Sequence, residues 1–270
     1  MIKFFRKIRQ QLLSENKVPK YLMYAIGEIV LVVIGILIAL QINNWNQKEN
    51  EQSKIKEYTI SLIQDLERDI AMANQIIGQN EEIVDRIDSL NIYIQNRKIA
   101  DFDNLVMLFY TLNKPHRPYV WSRTTITELK NSGSLGLIQN DSLSKMISEY
   151  DAFTFHLDDD FINDRTQFEK ATALSLSVVN HNYPNFYEIS ENFVPNNKER
   201  DPSLFKSRVY LEAQAINLGI ITRDIAVIQE MGNNYNILLM YLRIRIDVEL
   251  PRLTKNAKEI IKLLKATYLN

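Results

Sequence analysis

The chain has 270 residues, 46% of them apolar and 24% charged, which is typical of a folded protein and argues against a disordered one. Seven glycines and seven prolines interrupt it rarely, which favours long helices, and the lack of cysteine excludes disulfides, thiol catalysis and thiolate metal sites. The net charge of −1 combines a basic N-terminus with a mildly acidic remainder, a distribution that argues against nucleic-acid binding.

Residues 1–20 are strongly basic, with six Lys or Arg side chains against one acidic group, Glu15. Between the basic residues, Phe4, Phe5, Ile8 and Leu12 follow a helical spacing. This combination predicts a cytoplasmic amphipathic segment that lies on anionic lipid.

Residues 21–44 are predicted to form a transmembrane signal-anchor helix. Leu, Ile and Val fill 13 positions between residues 21 and 42, and Glu28 is the only charged residue there. About 20 such residues span the ~30 Å hydrocarbon layer. Roughly −0.3 to −0.6 kcal/mol per aliphatic residue outweighs at most ~3 kcal/mol for one acid, so insertion is favoured.

The flanks of this segment predict its orientation. Tyr21 and Trp45 are expected to anchor the two membrane interfaces. Six basic residues precede the span and three follow it, so the N-terminus should stay in the cytoplasm and residues 45–270 should be periplasmic, anchored in the inner membrane. A cleaved signal peptide is the alternative, but it requires a shorter core and a small-x-small cleavage site, which residues 38–42 lack.

Inside the span, an acid among aliphatic residues suggests a functional site. Glu28 is a candidate for proton handling or for pairing with a partner helix, and Tyr24, one turn earlier, is placed to hydrogen-bond it. The alternative is that Glu28 snorkels to the cytoplasmic side or stays protonated. Gly35 and Ala39 form a small-xxx-small pair that, with Gly27, favours helix association.

The remaining residues, 45–270, show helical periodicity throughout. The predicted elements are apolar stripes over 55–94, 143–178 and 205–246, short helices over 103–112 and 121–131, a loop over 181–202 and a final helix over 252–268. We expect Asn140 or Asp141 to cap the second stripe, Asp201-Pro202 to start the third, and residues 232–234 to interrupt it. Such helices bury their apolar faces only by packing together, which predicts an all-α fold: a transmembrane helix continuing into an antiparallel bundle.

Candidate sites in this part are few. His156, Asp160 and Asp164 follow at i, i+4 and i+8, a spacing compatible with a divalent cation, although a solvated helix face explains the same pattern. Thr125 and Glu128 have capping-box spacing before Gly133, a residue type favoured just after a helix end. His116 and His181 lie in proline-flanked loops. With no phosphate loop, dinucleotide fingerprint or paired metal-binding histidines, we predict no catalytic, cofactor or metal site.

The segment from Phe4 to Trp45, FFRKIRQQLLSENKVPKYLMYAIGEIVLVVIGILIALQINNW, resembles an uncharacterised family of short single-span bacterial envelope proteins. The segment TITELKNSGSLGLI, which begins at Thr125, is similar to the same family. This resemblance implies an extracytoplasmic helical domain and no particular activity. Three functions remain open: an interaction module with a membrane or envelope partner or a second copy, a sensory subunit that signals through a partner, and a metal-dependent hydrolase.

Overall fold

The computed structural model describes residues 18–113, 117–194 and 204–269, with the side chains of residues 18, 20, 21 and 24 left out. Its α-helices are α1 Val18–Gln95, α2 Asn104–Thr111, α3 Thr124–Asn131, α4 Asp141–Val178, α5 Phe186–Phe193, α6 Arg208–Ile216, α7 Ile225–Ile244 and α8 Leu250–Tyr268. These ranges contain no strand, so the all-α prediction is confirmed. Of the predicted basic segment 1–20, residues 1–17 lie outside the described residues.

The chain divides into two compact units, Met1–Glu57 and Tyr58–Asn270. In the first unit, α1 is the one helix of the described chain that is long and apolar enough to cross a membrane. Between residues 22 and 42, its large apolar side chains are between 46% and 74% exposed, and none of these faces a protein core; they are Leu22, Met23, Ile26, Ile29, Val30, Leu31, Val32, Val33, Ile34, Ile36, Leu37, Ile38, Leu40 and Ile42.

The second unit is a helical bundle whose core combines the predicted stripes. Leu62, Leu66, Ala73, Val84, Ile87 and Leu90 of α1 are buried as their spacing predicts. The main core joins the last turns of α1 to α2, α5, α6, α7 and the C-terminal half of α4. The 38-residue helix α4 packs against both α7 and α8.

Side-chain caps define several of the helix starts. Asp103, Asn140, Ser207 and Asp224 each accept a hydrogen bond from a backbone N–H in the first turn of the helix that follows. The predicted cap at Asn140 is therefore confirmed. Gly133 adopts φ +70° just beyond α3, where a residue without a Cβ is least strained.

The start of α3 differs from the predicted capping box. Thr125 lies inside the helix, and its N–H donates to Oδ2 of Asp65 on α1 at 3.2 Å. Asp69, one turn further along α1, accepts from the Ser122 N–H at 2.7 Å and from the Tyr150 hydroxyl at 2.8 Å. Two buried aspartates of a distant helix thus supply the negative charge that a helix N-terminus favours.

Two predicted boundaries are also wrong. The expected loop over 181–202 contains α5, which folds because Ile189 and Phe193 bury one face against the core. The third stripe breaks at residues 217–224, after Asn217 takes the left-handed conformation, and not at 232–234. Gly232 stays helical inside α7, where a Cβ would lie 3.9 Å from Ile94. Packing against α1 offsets the roughly 1 kcal/mol that a mid-helix glycine costs.

Arg86 on α1 is the largest fully buried side chain of the described chain, 1% exposed. Its guanidinium donates to the carbonyl oxygens of Phe109 at 2.8 Å and Leu112 at 2.7 Å, and also to that of Phe193. It stacks over the Phe109 ring at 4.9 Å and pairs with Glu82. Because α2 and α5 both end at these carbonyls, Arg86 fastens two helix C-termini to α1.

Replacing Arg86 with methionine should lower the free energy of unfolding by about 3 kcal/mol, because it leaves buried carbonyl groups without donors. Arg165→Met is the matched control, since Arg165 also pairs with a glutamate four residues away but is exposed. It should change stability by no more than ~0.5 kcal/mol. Thermal unfolding followed by circular dichroism compares the two variants, and equal melting temperatures would contradict the role of Arg86.

Candidate functional site

The predicted trio on α4 is split by the structure. His156 and Asp160 lie at the edge of the bundle, but Asp164 is completely buried. It is seven residues beyond Leu157 and so lies on the buried face that Leu157 and Phe161 define. A solvated face therefore does not account for Asp164.

Asp164 pairs with Arg245, which follows α7 in a π-helical turn, Arg245–Glu249. Arg245 Nε lies 2.9 Å from Oδ2 and Nη2 lies 3.2 Å from Oδ1, a bidentate contact between two buried groups. In the π turn the Leu250 N–H donates to the Arg245 carbonyl five residues back. The next residue, Pro251, has no N–H to donate, which favours irregular backbone at this point.

The same guanidinium contacts two further carboxylates. Nη2 of Arg245 lies 3.2 Å from Oδ1 of Asp160, and Nη1 contacts Oε2 of Glu249. Three carboxylates around one guanidinium leave two uncompensated negative charges when all are ionised. A buried arrangement of this kind stabilises only when its geometry satisfies every group.

The electrostatics follow from burial and from this excess of negative charge. Burial raises the pKa of Asp164 to about 6, although Arg245 opposes the shift. Burial also raises the pKa of Asp160, with Arg245 opposing and the Glu249 carboxylate adding to the rise. The pKa of Tyr119 is raised by burial and then by the Asp164 carboxylate. Burial alone would lower the pKa of Arg245, but the carboxylates raise it.

At the outer edge of this group of charges, His156 approaches the carboxylates of Asp160 and Glu249. It faces the oxygen of each that does not contact Arg245. His156 Nε2 lies 3.1 Å from Oδ2 of Asp160 and 3.2 Å from Oε1 of Glu249. His156 is about half exposed, whereas the two carboxylates are mostly buried. We call His156, Asp160 and Glu249 the edge triad. One ligand atom from each member lies within 4.8 Å of the others, and this is the group within the described residues that matches metal-ligand spacing.

A separate cleft of about 570 Å³ opens between α1, the segment after α2, and α5. Met72, Gln75, Asn80, Arg117 and Tyr119 contribute to its lining. Volumes of this size accommodate small-molecule ligands. The mixed polar and apolar lining makes the cleft a second candidate site.

The candidates predicted inside the apolar segment all lie in the first unit. Glu28 is half-buried, whereas Gly27, Gly35 and Ala39 are exposed. A Cβ added to Gly27 or Gly35 would meet no atom within 4 Å, and Trp45 is 64% exposed. The side chains of Tyr21 and Tyr24, and all of His116, lie outside the described residues. His181 lies partly buried beside Phe186, and burial lowers its pKa.

Arg245 and Glu249 are the site residues that the sequence analysis missed. The sequence does contain an indication of this site. Asp164 occupies the position between Phe161 and Phe168 where the apolar stripe of α4 would be expected to place an apolar residue. Arg245 likewise follows Leu238 by seven residues on the buried side of α7. An acid in one stripe and an arginine in another together indicate a buried ion pair.

Replacing Arg245 with methionine should lower the free energy of unfolding by roughly 3–5 kcal/mol, because it leaves Asp164 as a buried charge without a partner. The double variant Arg245→Met/Asp164→Leu should be more stable than Arg245→Met alone, because the fully buried position 164 no longer holds a charge.

Arg243→Met provides the control for both variants. Arg243 forms an exposed ion pair with Asp88 at 3.0 Å, so its loss should change stability by less than ~1 kcal/mol. The melting temperatures of the variants test this prediction. A double variant less stable than Arg245→Met would contradict the conclusion that the unpaired Asp164 causes the loss of stability.

The similarity of this chain to a known family lies in residues 28–157. No curated protein and no solved structure matches the chain significantly. The matched family model covers residues 28–157, which include Asp65, Asp69, Arg86 and His156 and end before Asp160. Residues 28–157 match the model of a family of unknown function, DUF6090, in agreement with the resemblance to an uncharacterised family.

Proposed function

We propose that the chain is a membrane-anchored helical interaction module of the bacterial cell envelope. The observation that carries the proposal is the run Ile29–Ile34 of α1, six consecutive aliphatic residues that are all exposed. Consecutive residues point in all directions around a helix, so this segment has no buried face and no polar face. Lipid is the environment that suits such a surface.

The proposed topology places the N-terminus in the cytoplasm and the second unit outside it. Six basic residues before the span against Lys48, Lys54 and Lys56 after it support this orientation. In this topology the described bundle lies in the outer compartment, and so does any activity that it has. The inner membrane is then the site of anchoring.

The proposed contact with a partner lies on one face of the span. Glu28, Gly35 and Ala39 follow at intervals of seven and four residues, so an α-helix aligns them. The two small residues allow close approach of a second helix, and an acid in lipid favours a polar partner. The partner is a membrane helix of another envelope protein or of a second copy.

The anchoring test replaces Val33 and Ile36 with lysine. Two lysines near the centre of the span add roughly 5–7 kcal/mol to insertion, enough to reverse it. We expect the wild-type chain to resist alkaline extraction from membranes, to keep its intact N-terminus, and to expose a C-terminal reporter outside the cytoplasm. Ile92→Lys is the control, since Ile92 is an exposed residue of α1 in the second unit. A cytoplasmic reporter or a cleaved N-terminus would contradict the proposal.

The partner test replaces Glu28 with Gln and, separately, Gly35 with Leu. Both changes should reduce cross-linking of the chain to its partner in native membranes, the first by removing the acid and the second by bulk. Val30→Leu adds bulk on the opposite face of the helix and should have no effect. Unchanged cross-linking in both test variants, or no reproducible cross-linked species at all, would refute the interaction module.

A sensory subunit is the second candidate function, favoured by the cleft of about 570 Å³. Its signal would pass through a partner's membrane helices. A metal-dependent hydrolase ranks third, because Asp164, one of the three residues that suggested it, is occupied by Arg245.

A further inference from the structure

We propose that the edge triad, His156, Asp160 and Glu249, binds a divalent transition-metal ion of the zinc class. The inference concerns the second unit alone and does not depend on the membrane topology. The three side chains of the proposed site lie up to 93 residues apart in the sequence, and the fold brings them together at the π turn.

The distances between the ligand atoms fit such an ion. Zinc bonds to imidazole nitrogen and carboxylate oxygen are about 2.0–2.2 Å, which in a tetrahedral site separates the ligand atoms by roughly 3.3–3.5 Å. His156 Nε2 lies 3.1 Å from Asp160 and 3.2 Å from Glu249. His156 Nε2 is thus within a few tenths of an ångström of the required separation from each carboxylate oxygen, and the two carboxylate oxygens lie within 4.8 Å of each other.

Arg245 supports the two carboxylates from the opposite side. It contacts Oδ1 of Asp160 and Oε2 of Glu249, while Oδ2 and Oε1 face His156. Each carboxylate thus has one oxygen held by the guanidinium and one oxygen available as a ligand. Hydrogen-bonded support of this kind orients ligands in metal sites.

The charge of the surroundings also favours a dication. Asp160, Asp164 and Glu249 exceed Arg245 by two negative charges when all are ionised. A bound dication with neutral His156 brings the group to neutrality, which burial of the carboxylates favours. A protonated His156 compensates only one of the two charges.

Solvent reaches the edge triad from the side of His156. His156 is 53% exposed, so the side of the site away from Arg245 faces water. Three protein ligands and one water are a usual set for zinc sites that interact with an external ligand. One nitrogen ligand also distinguishes the site from the all-oxygen sites that Mg²⁺ and Ca²⁺ prefer.

The experiment measures Zn²⁺ binding to the full-length chain in detergent after chelator treatment and dialysis. We expect one saturable site per chain by titration calorimetry, retained in excess Mg²⁺, and a rise in melting temperature with Zn²⁺. His156→Ala and Glu249→Gln should each weaken binding at least about tenfold. Asp159→Asn and His181→Ala remove a nearby exposed acid and the other described histidine, and both should bind as the wild type does.

The His156→Ala variant carries the test if Glu249→Gln unfolds, because His156 touches only the outer oxygens of the cluster. Circular dichroism confirms that each variant is folded. Absence of a saturable site, or equal affinity in wild type and His156→Ala, would overturn the proposal and leave His156 as an ordinary ion-pair partner. Either result leaves the membrane anchoring and partner tests unaffected.

Discussion

The bidentate contact between Arg245 and Asp164 joins α4 to the π turn between α7 and α8. Both groups are buried, so neither is stable there without the other. The contact fixes where the guanidinium lies, and the guanidinium in turn holds the inner oxygens of Asp160 and Glu249. The geometry of the edge triad is therefore a consequence of a buried ion pair one turn deeper.

The π turn has a particular part in this arrangement. An α-helical continuation from α7 to α8 would rotate Glu249 and the residues after it differently relative to α4, because each residue of a helix turns by about 100°. The extra residue of a π turn shifts that register locally. Arg245 keeps the buried register of α7, and Glu249, four residues later in the π turn, contacts both Arg245 and His156.

Polar groups also organise the rest of the bundle, and several of them belong to α1. Asp65 and Asp69 receive N–H donors at the start of α3, and Arg86 donates to carbonyls at the ends of α2 and α5. Short helices have few residues with which to bury an apolar face. The N–H and C=O groups without partners at their ends therefore have a large effect on their stability. A long helix with correctly placed charges satisfies these ends from outside. The apolar part of the same helix, in the first unit, faces no protein core and suits lipid instead.

Local patterns in the sequence sufficed for much of this molecule. Periodicity predicted the all-α class and the buried stripes, Asn140 and Gly133 marked helix boundaries correctly, and an uninterrupted aliphatic run predicted the membrane-compatible helix, because each depends on residues close together in the chain. What only the tertiary structure decided involves partners far apart in sequence. Asp65 replaced the local cap of α3, packing kept Gly232 helical, and burial beside Arg245 reversed the expectation for Asp164. The free energy of a buried charge or an unpaired backbone group depends on whichever group packs against it, and the order of residues does not specify that group.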